Sequence, residues 1–214
     1  MDAGSPEPSR NTTPTSTPRG YARMPDLEFK SPVAHGPIST PDGAVTVEDE
    51  TVTAKIVVRA AAGTAAAADL AVPYGQSRLR ADGTLVCGTR PDEWTLFAAV
   101  GRAAEVAASV NTEGFVNVID ITHGRAMMRV SGRKATALLA KVCNIDLADD
   151  MTPDGAVFSG SVAKVTCDLL RSDRAGEPSY LISCERSFGD YLFAALADAC
   201  TEFGAILPVG LDIH

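Results

Sequence analysis

Apolar and polar positions alternate along several short stretches of the chain and shift to helical spacing in others. Within residues 45–59, Val52, Ala54, Ile56 and Val58 recur at every second position, the period of a half-buried strand. Residues 63–70 are alanine-rich and predict a short helix, which ends where Pro73 forbids continuation. Residues 78–80 and 84–87 flank Ala81-Asp82-Gly83, which carries an Asp-Gly hairpin signal. A strand over 95–98 and a helix over 102–110 follow.

The central run Val118-Ile119-Asp120-Ile121-Thr122-His123-Gly124-Arg125, continued by Met127-Met128-Arg129-Val130-Ser131-Gly132, predicts strand, tight turn and strand, with Gly124 permitting the reversal. After Gly132 the spacing becomes 3 and 4, placing Ala135, Leu138, Leu139 and Val142 on a helix. Residues 157–170 and 180–184 predict a hairpin across a polar loop. In the last helix Ser187 is the expected N-cap and Asp190 completes a capping box. Phe188, Tyr191, Leu192, Ala195, Leu196, Ala199 and Phe203 form its apolar stripe, and Gly204 closes it. Strands and helices interleave without βαβ spacing, so the expected class is α+β, a mainly antiparallel sheet with packed helices.

Composition sets the outer limits. The first twenty residues hold four Pro, four Thr and three Ser and offer little that could enter a core, so residues 1–43 are expected to be a disordered tail before a single domain at 44–214. A net charge of -8 argues against nucleic acid as a partner. Apolar runs fall short of the ~18 residues of a membrane helix, and no apolar leader stands at the N-terminus, so no membrane association and a cytoplasmic location are expected. The five cysteines are widely spaced without a Cys-x-x-Cys pair and read as reduced, buried thiols; no metal site is expected.

Four groups of residues carry candidate chemistry. Asp120 and His123 have the spacing of an acid–base pair across a turn, or Asp120 caps the turn while His123 packs beside it. Asp92, Glu93 and Trp94 form either a partner-interface anchor or the entry to a core strand. Arg186 and Ser187 stand where a strand meets a helix N-terminus, a place that attracts anions unless the serine simply caps the helix. Arg125, Arg129, Arg133 and Lys134 form a basic cluster that reads as a solvated face or a binding patch for an anionic ligand or partner. No nucleophile has motif support, and no catalytic residue is assigned.

Three islands, taken together, resemble the gamma subunit of heterotetrameric sarcosine oxidase, itself related to the folate-binding domain of the glycine-cleavage T protein. They are Gly88-Thr89-Arg90-Pro91-Asp92-Glu93-Trp94, the central run, and Glu185-Arg186-Ser187-Phe188-Gly189-Asp190-Tyr191-Leu192 with Glu202-Phe203-Gly204. The resemblance spans residues 56–204. It implies a T-protein-like folate-binding fold and an accessory, non-catalytic subunit docked to larger flavoprotein subunits of an oxidoreductase. That enzyme oxidises sarcosine to glycine and yields hydrogen peroxide, the methyl carbon leaving as formaldehyde or methylene-tetrahydrofolate. FAD, FMN, NAD and tetrahydrofolate are implied for the complex, with none bound by this chain. The alternative is a free-standing folate-binding module in one-carbon metabolism. Two departures stand out: Ser159-Gly160-Ser161 occupies a place where relatives often carry Arg-Thr, and the T protein's Gly-Gly-x-x-Asp-Asp segment has no counterpart near Asp168.

Overall fold

The computed structural model describes residues 29–211. Eleven strands form two antiparallel sheets. The first runs, in spatial order, β1 (Ile38–Ser39), β2 (Thr46–Asp49), β8 (Arg125–Ser131), β11 (Ser179–Glu185), β10 (Val165–Arg171) and β9 (Val157–Val162). The second runs β4 (Ser77–Leu79), β5 (Leu85–Arg90), β6 (Glu93–Ala98), β3 (Ala54–Ala60) and β7 (Val116–Asp120). Four helices complete the fold: α1 (Ala65–Leu70), α2 (Ala103–Ser109), α3 (Ala135–Val142) and α4 (Gly189–Thr201). The expected α+β class with antiparallel sheets is what the structure shows.

Strand alternation sorts the core into layers, because successive side chains leave opposite faces of a sheet. On the first sheet Ala126, Met128, Val130, Ile182 and Cys184 pack under α3 and α4, against Leu138, Leu139, Leu192, Phe193 and Leu196. On the second, Ile56, Val58, Trp94 and Leu96 pack with Leu70 of α1 and Val106 of α2. The opposite faces of the two sheets meet through Cys87, Met127, Leu170 and Leu181. The order is therefore helix, sheet, sheet, helix. Central strands β8 and β11 are buried on both faces, which is why apolar residues stand side by side in Met127-Met128 and Tyr180-Leu181-Ile182.

Several local expectations are corrected. The stretch 45–59 is two strands, β2 and β3, in different sheets, broken where Thr51 bonds to the backbone of Met127. The central run is no hairpin either: β7 pairs with β3, whereas β8 pairs with β2 and β11. The Ile121 amide continues the β3 pairing by donating to the Lys55 carbonyl at 2.9 Å before the chain crosses to the other sheet. Gly124 turns there without a positive φ. Residues 157–170 fold back on themselves as β9 and β10 about Ala163 (φ 47°) and Lys164 (φ 67°), a two-residue turn with both φ values positive. The hairpin of β10 with β11 does form.

At the last helix, residues Arg186–Phe188 form a 3-10 turn and α4 starts at Gly189 with no side-chain cap, so Ser187 is not the expected N-cap. Phe193 and Ala197 belong to the buried stripe, whereas Tyr191 and Phe188 are exposed.

The expected disordered tail is corrected for residues 29–43. Val33, Ile38 and Thr40 are buried, and β1 pairs with β2. Pro32 packs so closely over Gly189 that an added Cβ there would lie 2.6 Å from the proline ring. The rest of the expected tail, residues 1–28, lies outside the described residues.

Candidate functional site

The two sheets enclose a cleft of about 280 Å³. Its walls are built from the inward positions of both sheets. Val57, Phe97, Met127, Leu170 and Leu181 are apolar, and Lys55, Arg90, Glu93, Arg125, Asp168 and Glu185 bring charge.

Register places Arg125 at the centre of an ion network. It begins β8 directly opposite Glu185 of β11, and Asp168 stands across from Ser183 on the next strand. The Arg125 guanidinium donates to Asp168 at 2.7 Å, to Glu185 at 3.0 Å, and to the Ser183 carbonyl at 3.0 Å. The Ser159 hydroxyl donates to the other Asp168 oxygen at 2.8 Å. Ser159 thus supports the aspartate that pairs with Arg125. On the facing sheet the buried Glu93 carboxylate accepts from Arg59 at 2.6 Å and Arg90 at 2.5 Å. The Thr89 hydroxyl donates to it at 3.2 Å.

Lys55 is fully buried, and its Nζ donates to the carbonyls of Thr51 at 2.7 Å and Thr53 at 2.9 Å. Burial brings its pKa down to about 8, partly opposed by the attraction of Asp49. Its amide donates to the Thr122 hydroxyl, so one residue ties together both chain crossings between the sheets.

The sequence-derived candidates are distributed differently from expectation. Asp120 accepts from the Thr122 amide at 2.9 Å, and the His123 ring meets the Phe29 ring edge-on at 4.1 Å. The two share no hydrogen bond among the described residues. Trp94 is buried and donates from its indole to the Val72 carbonyl at 2.9 Å, so it is a core residue rather than a surface anchor. Glu93 is buried beside it, and only Asp92 of that trio is exposed. The guanidinium of Arg186 lies over the Phe29 ring at 4.8 Å and donates to the Lys30 carbonyl, while Ser187 is exposed. The basic cluster is dispersed: Arg129 is buried against Glu50 and Ser179, Arg133 pairs with Asp42, and Arg125 turns into the cleft.

Lys55 was missed because alternation along β3 marks it as solvent-facing; nothing local reveals that a second sheet covers that side. A lysine in step with Val57 on a strand rich in apolar residues is the available signal.

The thiols around the cleft are not set up as nucleophiles. The Cys87 thiol, which lines it, is pushed far up by burial, and burial likewise raises Cys184 to about 11 and Cys167 to about 12. All five cysteines are free and buried. Among the described residues no three His, Cys, Asp or Glu side chains are grouped to hold a metal ion, and no helix is long and apolar enough to cross a membrane. Every carboxylate lining the cleft already accepts from an arginine.

Known proteins agree with this architecture. A heterotetrameric sarcosine oxidase from Corynebacterium sp. U-96 contains a chain that superposes with a TM-score of 0.66 at 26% identity, over 80% of this chain and 91% of that one. The sarcosine oxidase gamma subunit of Arthrobacter sp. is 29% identical over 173 residues, 76% of this chain and 83% of the relative. The glycine cleavage aminomethyltransferase T of Bartonella henselae shares the fold at 18% identity, with a TM-score of 0.57 over 70% of this chain and 44% of that one. Residues 47–213 match the GCVT N-terminal domain, and the chain belongs to that family.

Proposed function

We propose that this chain is the gamma-type accessory subunit of a heterotetrameric sarcosine oxidase and contributes no catalytic residue. The observation that carries the reading is the superposition on a chain of such an enzyme over 91% of that chain's length. The site chemistry supports it. The Arg125 and Glu93 networks are closed on themselves, the thiols are held protonated, and Asp120 and His123 do not form an acid–base pair. In this reading the larger subunits carry the flavins, oxidise the N-methyl amine and pass its electrons to oxygen. The free-standing folate module is disfavoured, since the curated relatives are named sarcosine oxidase gamma subunits.

The test is affinity purification of the tagged full chain from its host. The expected result is a yellow complex with larger chains that converts sarcosine, oxygen and water to glycine, formaldehyde and hydrogen peroxide. Sarcosine turnover by the purified single chain, or recovery of a colourless chain without partners, overturns the reading.

A further inference from the structure

The two sheets end in four edge strands, and three of these are blunted against further pairing. β1 is two residues long. β4 is three residues long and carries Arg78, with Arg80 just past its end. β9 is held at both ends, where Ala156 bridges to Gln76 and Val162 to Cys143. β7 has none of these devices. It runs Val-Asn-Val-Ile-Asp, without lysine or proline, and among the described residues it pairs with β3 alone.

Hydrogen-bond parity identifies the groups on its open side. The Ala61 amide donates to the Phe115 carbonyl at 3.0 Å, and the Ile121 amide to the Lys55 carbonyl at 2.9 Å. Odd-numbered residues therefore bond to β3, and Val118 and Asp120 turn their N–H and C=O groups away from it. Apolar side chains accompany them: Phe115 is 83% exposed and Ile119 is 49% exposed. Ile119 stands opposite Val57, on the face turned toward the first sheet, which leaves it half open. Glu113 and Asp120 are exposed at the two ends of the strand, and neither has an ion pair among the described residues.

We propose that the outer edge of β7 is where a larger subunit adds a strand. The occupant is an extended segment that pairs with the backbone of Val118 and Asp120. It sets an apolar side chain against Phe115 and Ile119, and lysine or arginine near Glu113 and Asp120. Charge selects this occupant over a second copy, which brings the same acidic ends and the same net charge of -8. The proposal rests on the accessory-subunit reading and names the surface through which that assembly forms.

The experiment compares the tagged full chain with three variants in recovery of the yellow complex. Val118→Pro removes an outward amide that β3 does not use, a change that edge strands tolerate. Ile119→Glu adds charge beside Asp120 on the exposed face. Leu79→Glu puts the same charge on β4, the opposite edge, as the control. Chemical denaturation checks that each variant folds. Leu79→Glu is expected to recover the larger subunits as the unaltered chain does, and the two β7 variants about tenfold less. In the unaltered chain, the Val118 and Asp120 amides should exchange hydrogen quickly when free and slowly in the complex, which decides the matter even if a variant fails to fold. Full recovery by the folded β7 variants, or exchange that does not slow on assembly, overturns the proposal and leaves the accessory-subunit reading intact. Slow exchange in the free monomer overturns it by showing the edge already covered by the chain itself. So does a dimer, seen by light scattering, that the β7 variants dissociate. An unaltered chain that recovers no larger subunit overturns both readings.

Discussion

The indole Nε1 of Trp94 donates to the carbonyl of Val72 at 2.9 Å, joining β6 to the turn that follows α1. Beside it Gly88 lets the Pro73 carbonyl approach so closely that an added Cβ would lie 2.2 Å from that oxygen. The island Gly88 to Trp94 is thus a device for seating one turn on the second sheet. Trp94→Phe keeps an aromatic ring but removes the donor and part of the buried volume, leaving a buried carbonyl unpaired. The expected loss is about 1–3 kcal/mol, read as a lower denaturation midpoint in urea with an unchanged slope.

Alkaline pH should first strengthen and then weaken the fold. The Lys55 pKa is lowered from 10.5 unfolded to about 8 folded, so above pH 8 the unfolded chain holds the extra proton and stability rises. The buried thiols of Cys87, Cys167, Cys184 and Cys200 act in the opposite sense: their pKa values are raised above 9.0, so the unfolded chain loses protons first and stability falls beyond that pH. Each group contributes up to about 1.4 kcal/mol per pH unit, and four thiols outweigh one lysine. The expected profile peaks at about pH 8.3 and falls steeply above pH 9. Thermal melts across pH 7.5–10.5 check it, and a monotonic fall from pH 7.5 would contradict the assignment for Lys55.

The β9–β10 turn carries avoidable strain. Ala163 and Lys164 both adopt positive φ, which costs L-residues roughly 1 kcal/mol each. Ala163→Asn combined with Lys164→Gly suits that turn, and part of the gain is offset by the greater freedom glycine gives the unfolded chain. A net stabilisation of about 1 kcal/mol is expected, seen as a melting temperature roughly 2–4 °C higher.

Ser187→Ala should be nearly silent. A serine that caps a helix costs about 1 kcal/mol when removed, but this hydroxyl bonds nothing among the described residues and α4 starts two residues later. A change under about 0.5 kcal/mol in chemical denaturation is expected; a full capping loss would show that the helix start is misplaced.

Much of the fold could be read where one face is buried and the other open. The helices α3 and α4 and the hairpins β4–β5 and β10–β11 follow from period and turn residues. What could not be read is which sheet a strand joins. Asp49, Glu50, Thr51 and Thr53, or Ile121, Thr122 and His123, look locally like an irregular strand or a hairpin turn, yet both stretches carry the chain from one sheet to the other. The turn at Ala163-Lys164 lacks the Asn or Gly that normally announces it. The cleft was illegible for a related reason. Arg125 was visible as a basic residue, but its partners Asp168 and Glu185 lie 43 and 60 positions away. Lys55 looked like surface because the strand carrying it gives no sign of the second sheet.

The pairing of Ile38 and Ser39 with β2 has a consequence for the molecule's solubility. Without it β2 would become the outer rail of the six-stranded sheet, presenting unpaired amides and carbonyls to any passing strand. Val47 within it and Val45 just before it are fully buried, so such a rail would be sticky as well as open. The short segment before residue 44 is therefore the guard that ends the sheet, and a chain trimmed at that point would trade a finished edge for an invitation to aggregate.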